Sequence, residues 1–397
     1  MGTNNQKNDQ NIIPNDADKQ QKGVNVPNLR FSRYNDLWIK TTLNTVVERI
    51  TRRNTNNESN LPLTISAQYG LINQNEFFNK QIASRDLTNY ILLNKGEFAY
   101  NKSYSADYPW GAVKRLDKYD KGVLSSLYIC FAPKSNVDSD FLVHYFETPK
   151  WYNEISNIAG EGARNHGLLN MAVSDYFNTK HSFPSIQEQH KISQFLNLIN
   201  QRIDTQSKII EKYESLIKAI SNILIPKTKG KVVTLSEIAK IYQPETITQS
   251  KFNENGKYPV FGANGLIGHY NFYNHENAQI CITCRGATCG NINLSLPKSW
   301  ITGNSMVINT DECTRINKMY LYYLLKNYNF KSIISGSGQP QIVREPISAI
   351  KINLPTIQDQ NEIVKILNTY NELLRKEKDI LELYKKQKAY LLKNMFI

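Results

Sequence analysis

The stretch Phe183-Pro184-Ser185-Ile186-Gln187-Glu188-Gln189 returns as Leu354-Pro355-Thr356-Ile357-Gln358-Asp359-Gln360, an offset of 171 residues from Pro184 to Pro355. Eight of the seventeen positions from 184 to 200 are identical at that offset without a gap: Pro184, Ile186, Gln187, Gln189, Ile192, Leu196, Asn197 and Asn200. Identity this dense marks an internal duplication. Both copies open with helix-start chemistry. Ser185 or Thr356 can accept from free backbone N–H groups, and Glu188 or Asp359 three residues on completes or approximates a capping box.

From each start a strict three-four spacing follows. The first series is Gln189, Ile192, Leu196, Ile199, Ile203, Gln206, Ile210, Tyr213, Ile217, Ile220 and Leu224. The second is Gln360, Ile363, Leu367, Tyr370, Leu374, Glu377, Leu381, Tyr384, Lys388, Leu391 and Met395. Heptads sustained this long exceed an ordinary amphipathic helix and predict coiled-coil seams. Each seam of about 36 residues would make a helix of roughly 54 Å, and Pro226 is expected to stop the first. Gln206 and Glu377 interrupt the seams at equivalent points near the helix midpoints, where antiparallel pairing would set one against the other and fix register. Phe195, Ile209, Leu216 and Ile223 flank the first seam, and Ile366, Leu373 and Ile380 the second. Stripes that wide call for a further partner or for cover by the globular domains themselves.

The expected fold is α+β: two mixed α/β domains separated by two long helices that form an antiparallel coiled coil, with a pseudo-two-fold internal repeat. Residues 1–26, rich in Asn, Gln, Asp and Lys, read as a disordered tail. The first domain is placed at 27–183, the first spacer helix at 184–230, the second domain at 231–354 and the second spacer helix at 355–397. Within the domains, 126–132, 278–283 and 305–309 read as strands between Gly, Pro and Asn clusters. A short helix is expected to lead into each domain, over 42–50 and 234–242. Otherwise the domains share little sequence beyond Gly160-Glu161-Gly162 and Gly336-Ser337-Gly338 at similar late positions.

With 48 Lys+Arg against 35 Asp+Glu, the net charge of +13 favours a polyanionic partner, whether DNA, tRNA, ribosome or anionic membrane. No apolar run is long enough to span a bilayer and no hydrophobic signal core opens the chain, so a cytoplasmic protein without a membrane partner is expected. Five cysteines (Cys130, Cys281, Cys284, Cys289 and Cys313) form an odd, uneven set that fits a reducing compartment. Cys281, Cys284 and Cys289 depart from zinc-ligand spacing and read as buried thiols, with no metal site expected.

Catalytic motifs are missing. No two prolines are adjacent, which excludes the Asn/Asp-Pro-Pro-aromatic loop of amino-methyltransferases. No Glu has a Lys two residues on, and neither a Walker lysine motif nor His-Glu-x-x-His occurs. Phe261-Gly262-Ala263-Asn264-Gly265 reads as a turn between strands. The chain is therefore expected to bind without catalysing. Candidate DNA contacts are Lys102, Lys114, Arg115 and Arg164 in the first domain. In the second they are Arg285 (with Gly286 and Gly290), Lys298, Asn304, Gln339 and Arg344. Arg, Asn and Gln can address base edges bidentately, while Lys anchors phosphate.

This arrangement resembles the specificity subunits of type I restriction-modification systems. Pro27-Asn28-Leu29-Arg30-Phe31 with Trp38 looks like their start, and Pro184, Gln187, Glu188 and Gln189 with Pro355, Gln358, Asp359 and Gln360 look like their domain-closing signature. Gly160-Glu161-Gly162-Ala163-Arg164-Asn165 and Gly336-Ser337-Gly338-Gln339-Pro340-Gln341 are similar to late segments of their target recognition domains. The resemblance implies two recognition domains, each reading half of an interrupted double-stranded DNA site. It also implies assembly with two methyltransferase subunits, and with translocase-nuclease subunits for cleavage. S-adenosylmethionine, ATP and magnesium would belong to those partners, with no cofactor in this chain. Asp359 in the second signature and Lys388 in the second seam depart from the pattern. Rival readings are a coiled-coil adaptor with two protein-binding domains and a self-sufficient methyltransferase.

Overall fold

The computed structural model describes residues 25–66, 69–80, 82–105, 107–159, 164–165, 167–336 and 338–397. Residues 1–24 of the expected tail lie outside these, as do Gly160, Glu161, Gly162 and Ala163 of the first glycine segment and Ser337 of the second. The chain divides into two compact units, Met1–Thr205 with Leu381–Ile397, and Gln206–Ile380.

In the first unit the strand that enters the domain, Ile39–Thr42, pairs antiparallel with the strand that leaves it, Lys180–Phe183. One helical turn, Leu43–Val46, leads into Val47–Arg49 at the edge of a four-stranded antiparallel sheet. Across that sheet the order is Val47–Arg49, Ile129–Pro133, Phe98–Asn101 and Ala112–Arg115. The second unit repeats each step. Lys231–Thr234 pairs with Lys351–Leu354, a single 3-10 turn spans Leu235–Glu237, and the sheet order is Lys240–Tyr242, Ser305–Asn309, Ile280–Thr283 and Ile292–Leu294. The duplication therefore runs through domains whose sequences share little. A half-buried sheet asks only for apolar residues facing the core, and Val, Ile, Leu and Phe meet that demand interchangeably.

The short helices expected over 42–50 and 234–242 are corrected to one turn each. Val47 and Ile241, β-branched and buried, belong to strands whose ladders satisfy their backbone instead. The turn read at Phe261–Gly265 joins Tyr258–Gly262 to Gly265–Tyr270, and Gly265 takes a φ of +117° that a side chain would resist.

The long helices span Ile186–Lys227 and Ile357–Asn394, and every seam position in both is buried or half-buried. The first helix runs one residue past Pro226 rather than stopping there, because the missing N–H falls in the final turn, where little ladder remains to lose. In the second unit Gln206 Nε2 donates to Glu377 Oε2 (2.5 Å) and to the Glu377 carbonyl (3.0 Å). Ile217, Ile220 and Leu224 share a core there with Ile363, Val364 and Leu367, so the two helix segments run antiparallel. In the first unit Arg30 grips Glu188, and the neighbouring Leu29 N–H donates to the Asn394 carbonyl (2.9 Å). The start of one helix thus lies beside the end of the other, again antiparallel.

Each helix docks on its own domain through the same repeated side chain. Gln189 Nε2 donates to Pro184 O (2.9 Å) while its Oε1 accepts from Asp138 N–H (2.9 Å). Gln360 donates to Pro355 O (2.9 Å) and accepts from Asn317 N–H (2.7 Å). Asp138 and Asn317 cap the helices Ser139–Phe146 and Lys318–Lys326. A second rung joins Asn197 to His144 (2.9 Å) and Asn368 to Tyr323 (2.7 Å). Glu188, expected to complete a capping box, instead turns its buried carboxylate to Arg30, while Asp359 does bond with Thr356. Lys388 finds Glu147 of the first domain at 2.9 Å, which accounts for a cation in that seam.

Candidate nucleic-acid interface

The strand Phe98–Asn101 leads into Lys102, and its counterpart Ile280–Thr283 leads into Cys284. A late loop lies against each with the same backbone pattern. In the first unit Leu169 N–H donates to Lys102 O (3.0 Å), Ser103 bridges Leu168, and Tyr104 N–H donates to Gly167 O (3.1 Å). In the second, Ile342 N–H donates to Cys284 O (2.9 Å), Arg285 bridges Gln341, and Gly286 N–H donates to Pro340 O (3.0 Å). The frames correspond residue for residue, with Lys102-Ser103-Tyr104 where the other domain has Cys284-Arg285-Gly286.

In the second unit this end of the sheet gathers more groups. Thr283 sits opposite Ser305, so Asn304 lies at the same edge and its carbonyl accepts from Cys284 N–H (3.2 Å). The 263–264 turn is tied on by Asn293 Nδ2, which donates to Ala263 O (3.0 Å), and by Ser305 Oγ, which donates to Gly262 O (3.0 Å). Arg285, Asn304 and Gln339 are exposed and brought together here, and Arg285 has no acidic partner among the described residues. Lys298 stands elsewhere. It precedes Trp300–Ile301, which runs parallel to Tyr258–Gly262, so it lies at the far end of that strand, where it pairs with Glu276 (3.5 Å). Arg344 lines a separate pocket of about 610 Å³ with Lys240 and Glu312.

In the first unit Lys102 shares a small pocket of about 90 Å³ with Arg49 and Arg53, beside the exposed Leu127. Sequence reasoning missed both arginines. The sequence places Arg49 in the helix expected over 42–50, whereas the strand Val47–Arg49 carries it to this edge. Arg115, by contrast, is paired with acidic neighbours: its Nε holds Asp117 (2.6 Å) and its Nη1 holds Asp140 (2.7 Å). Burial of Arg115 opposes its charge, but those two carboxylates outweigh it and raise its pKa. Lys114 lies in another pocket, lined also by Glu147 and Lys388, and its burial there lowers its pKa. The side chain of Arg164 lies outside the described residues.

All five cysteines are free thiols. Cys281 Sγ faces Gln279 O, Cys284 Sγ faces Ile282 O and Cys289 Sγ faces Cys284 O. Cys281 and Cys284 pack into different apolar clusters and burial raises both pKa values, to about 12 and about 11, as expected of inert core thiols. Among the described residues no group of three His, Cys, Asp or Glu side chains could hold a metal ion, and no helix is long and apolar enough to cross a membrane.

The family model described as type I restriction modification DNA specificity domain matches residues 227–383. The type I restriction enzyme EcoprrI specificity subunit of Escherichia coli is 27% identical over 151 residues, 37% of each chain, so the match spans little more than a third of that relative. The MjaVIII specificity subunit of Methanocaldococcus jannaschii is 25% identical over 319 residues, 68% of this chain and 73% of the other. The fold is similar to the type I restriction-modification S subunit from M. genitalium, with a TM-score of 0.57 at 19% identity over 94% of this chain and 99% of that one. A chain from work on assembly and conformational transition of a type I system gives 0.56 at 15% identity, over 90% of this chain and 97% of its own. Twice-built domains, twice-built helices with their buried glutamines, and a specificity-domain match across the second half converge: the chain carries a region that matches the type I restriction modification DNA specificity domain and is similar, in sequence and in fold, to type I restriction-modification specificity subunits.

Proposed function

We propose that this chain supplies the DNA address of a type I restriction-modification complex, its two domains reading the two halves of an asymmetric, interrupted double-stranded site. The observation that carries this is the pair of corresponding backbone frames holding different side chains, Lys102-Ser103-Tyr104 in one domain and Cys284-Arg285-Gly286 in the other. Equal frames with unequal side chains suit two readers of unequal sequence. A net charge of +13 supports phosphate contact. Catalysis belongs to partners: two methyltransferase subunits with S-adenosylmethionine, and translocase-nuclease subunits with ATP and magnesium. The chain works in the cytoplasm, where those partners meet DNA.

Methylome sequencing of cells with and without the chain tests the reading. An interrupted, asymmetric site methylated on adenine should vanish with the chain. Replacing Arg285 and Gln339 by Ala should alter one half of the site and leave the other intact. A continuous palindrome, or an unchanged methylome, overturns it. A purified chain that transferred methyl groups unaided would overturn the division of labour. DNA affinity indifferent to both salt and sequence would restore the adaptor reading.

A further inference from the structure

In the first unit three cations line one small pocket. Arg49 closes the strand Val47–Arg49, Arg53 follows it, and Lys102 follows the strand Phe98–Asn101; Arg49 and Arg53 are exposed and Lys102 is half-buried. No acidic side chain lines the pocket, and none pairs with any of the three among the described residues. Arg52, the cation between, is spent elsewhere, its Nη2 donating to both carboxylate oxygens of Glu97 (2.9 and 2.7 Å). Arg53 is positioned rather than neutralised, since its backbone bridges Ile91 and its Nη1 donates to the Asn89 carbonyl. Exposed Thr51 and Ser126 add hydroxyls to the lining. Like charges gathered without a counter-charge repel one another and call for an anion. The second unit has no such cluster at the equivalent place. Arg49 sits opposite Phe131, itself opposite Phe98 at the start of the strand that leads to Lys102. Ile241 sits opposite Ile308, itself opposite Ile280 at the start of the strand that leads to Cys284. Arg49 thus corresponds to Ile241 and Lys102 to Cys284, both 3% exposed, so the shared fold does not ask for cations here.

We infer that Arg49, Arg53 and Lys102 clamp one backbone phosphate in the half-site that the first domain reads, a grip the second domain lacks at this place. The inference rests on the chain being a DNA reader, and it names the residues that anchor one of its two halves. At about 90 Å³ the pocket is far smaller than the roughly 300–1,000 Å³ of sites that enclose a whole ligand. It suits a charged group that projects from a larger body, as the two free oxygens of a phosphodiester do. Guanidinium forks meet such oxygens bidentately, and the ammonium adds a point charge. Lys102 also opens the backbone frame against the 167–169 loop, so the clamp adjoins Ser103 and Tyr104. Phosphate contacts beside base-addressing side chains fix their register on the duplex.

The test uses the intact complex and duplexes bearing the site found by methylome sequencing. Each phosphate is replaced in turn by an uncharged methylphosphonate, which keeps the backbone and removes one charge. One such replacement should cost about tenfold in affinity, in the half-site that changing Arg285 and Gln339 to Ala leaves intact. Arg49→Gln combined with Lys102→Gln should lose that sensitivity and make the slope of log affinity against log salt shallower by about one, while still preferring the site to a scrambled duplex. Lys102→Arg keeps the charge and should keep the sensitivity. If no phosphate in that half is one whose neutralisation the double variant ignores, the clamp falls and the reader stands. Loss of the sensitivity in Lys102→Arg has the same consequence. Equal affinity of the unaltered complex for a scrambled duplex brings down the DNA-reading role itself.

Discussion

Where the first unit meets the helix segments that belong to it, charge holds the join: Arg30 lies on Glu188, and Lys388 reaches Glu147. Where the second unit meets its own, neutral groups take over. Tyr323 bonds Asn368 and Asn371, Ile217 packs into the core at the seam position equivalent to Lys388, and Asp359 stays at the surface. The strand beneath shows the same contrast, with buried His181 in one unit and buried Ile352 in the other, again 171 residues apart. Only the Gln189 and Gln360 rungs are kept alike. Buried ion pairs add little net stability over apolar contacts, yet removing one partner is severe. The first junction should therefore be the more easily broken by a single change.

The largest expected effect follows from that asymmetry. Glu188→Leu strands the Arg30 guanidinium, whose side chain is 9% exposed, and should cost the first unit about 3–5 kcal/mol. Asp359→Leu should cost the second under about 1 kcal/mol. Urea unfolding followed by hydrogen exchange in each unit reads both, and equal losses would abolish the distinction.

Acid should separate the units next. Burial lowers the His181 pKa to about 4, with Lys40 adding and Glu154 opposing, while its nitrogens bond Tyr145 and Thr179. The folded state thus favours neutral imidazole, so stability present above about pH 6.5 is withdrawn as pH falls towards 4, by up to about 3 kcal/mol. His181→Ile, which installs the second unit's residue, should flatten the first unit's exchange rates across that window; an unaltered profile would assign the acid sensitivity elsewhere.

Smaller and symmetric losses are expected from the shared rung. Gln189→Ala and Gln360→Ala each leave a cap N–H and a proline carbonyl unserved, at about 1–3 kcal/mol. Here it is a marked inequality between the two thermal midpoints that would count against equivalence of the joins.

The helices are legible because heptads are a one-dimensional signal, and the equivalent places of Gln206 and Glu377 in the two seams are enough to pair them. Duplication of the domains is not, since sheet order depends on pairings between residues far apart in sequence and tolerates any apolar side chain at each. Among candidate contacts, Arg285, Asn304 and Gln339 converge, whereas the pairing of Arg115 with Asp140 joins residues distant in sequence and carries no one-dimensional signal. Arg49 sits at the end of a three-residue strand, too short to show an alternating pattern.

The first unit is discontinuous, and that bears on time. Leu391, Met395 and Phe396 belong to its core, yet residues 206–380, 175 of them, are synthesised between the two parts. At about 5–20 residues per second a ribosome spends roughly 9–35 s on that interval. Throughout it the first domain waits with its apolar cleft open, while the second unit, continuous in sequence, has all it needs. Folding order should therefore run against synthesis order, and the nascent first domain is where a chaperone would be needed.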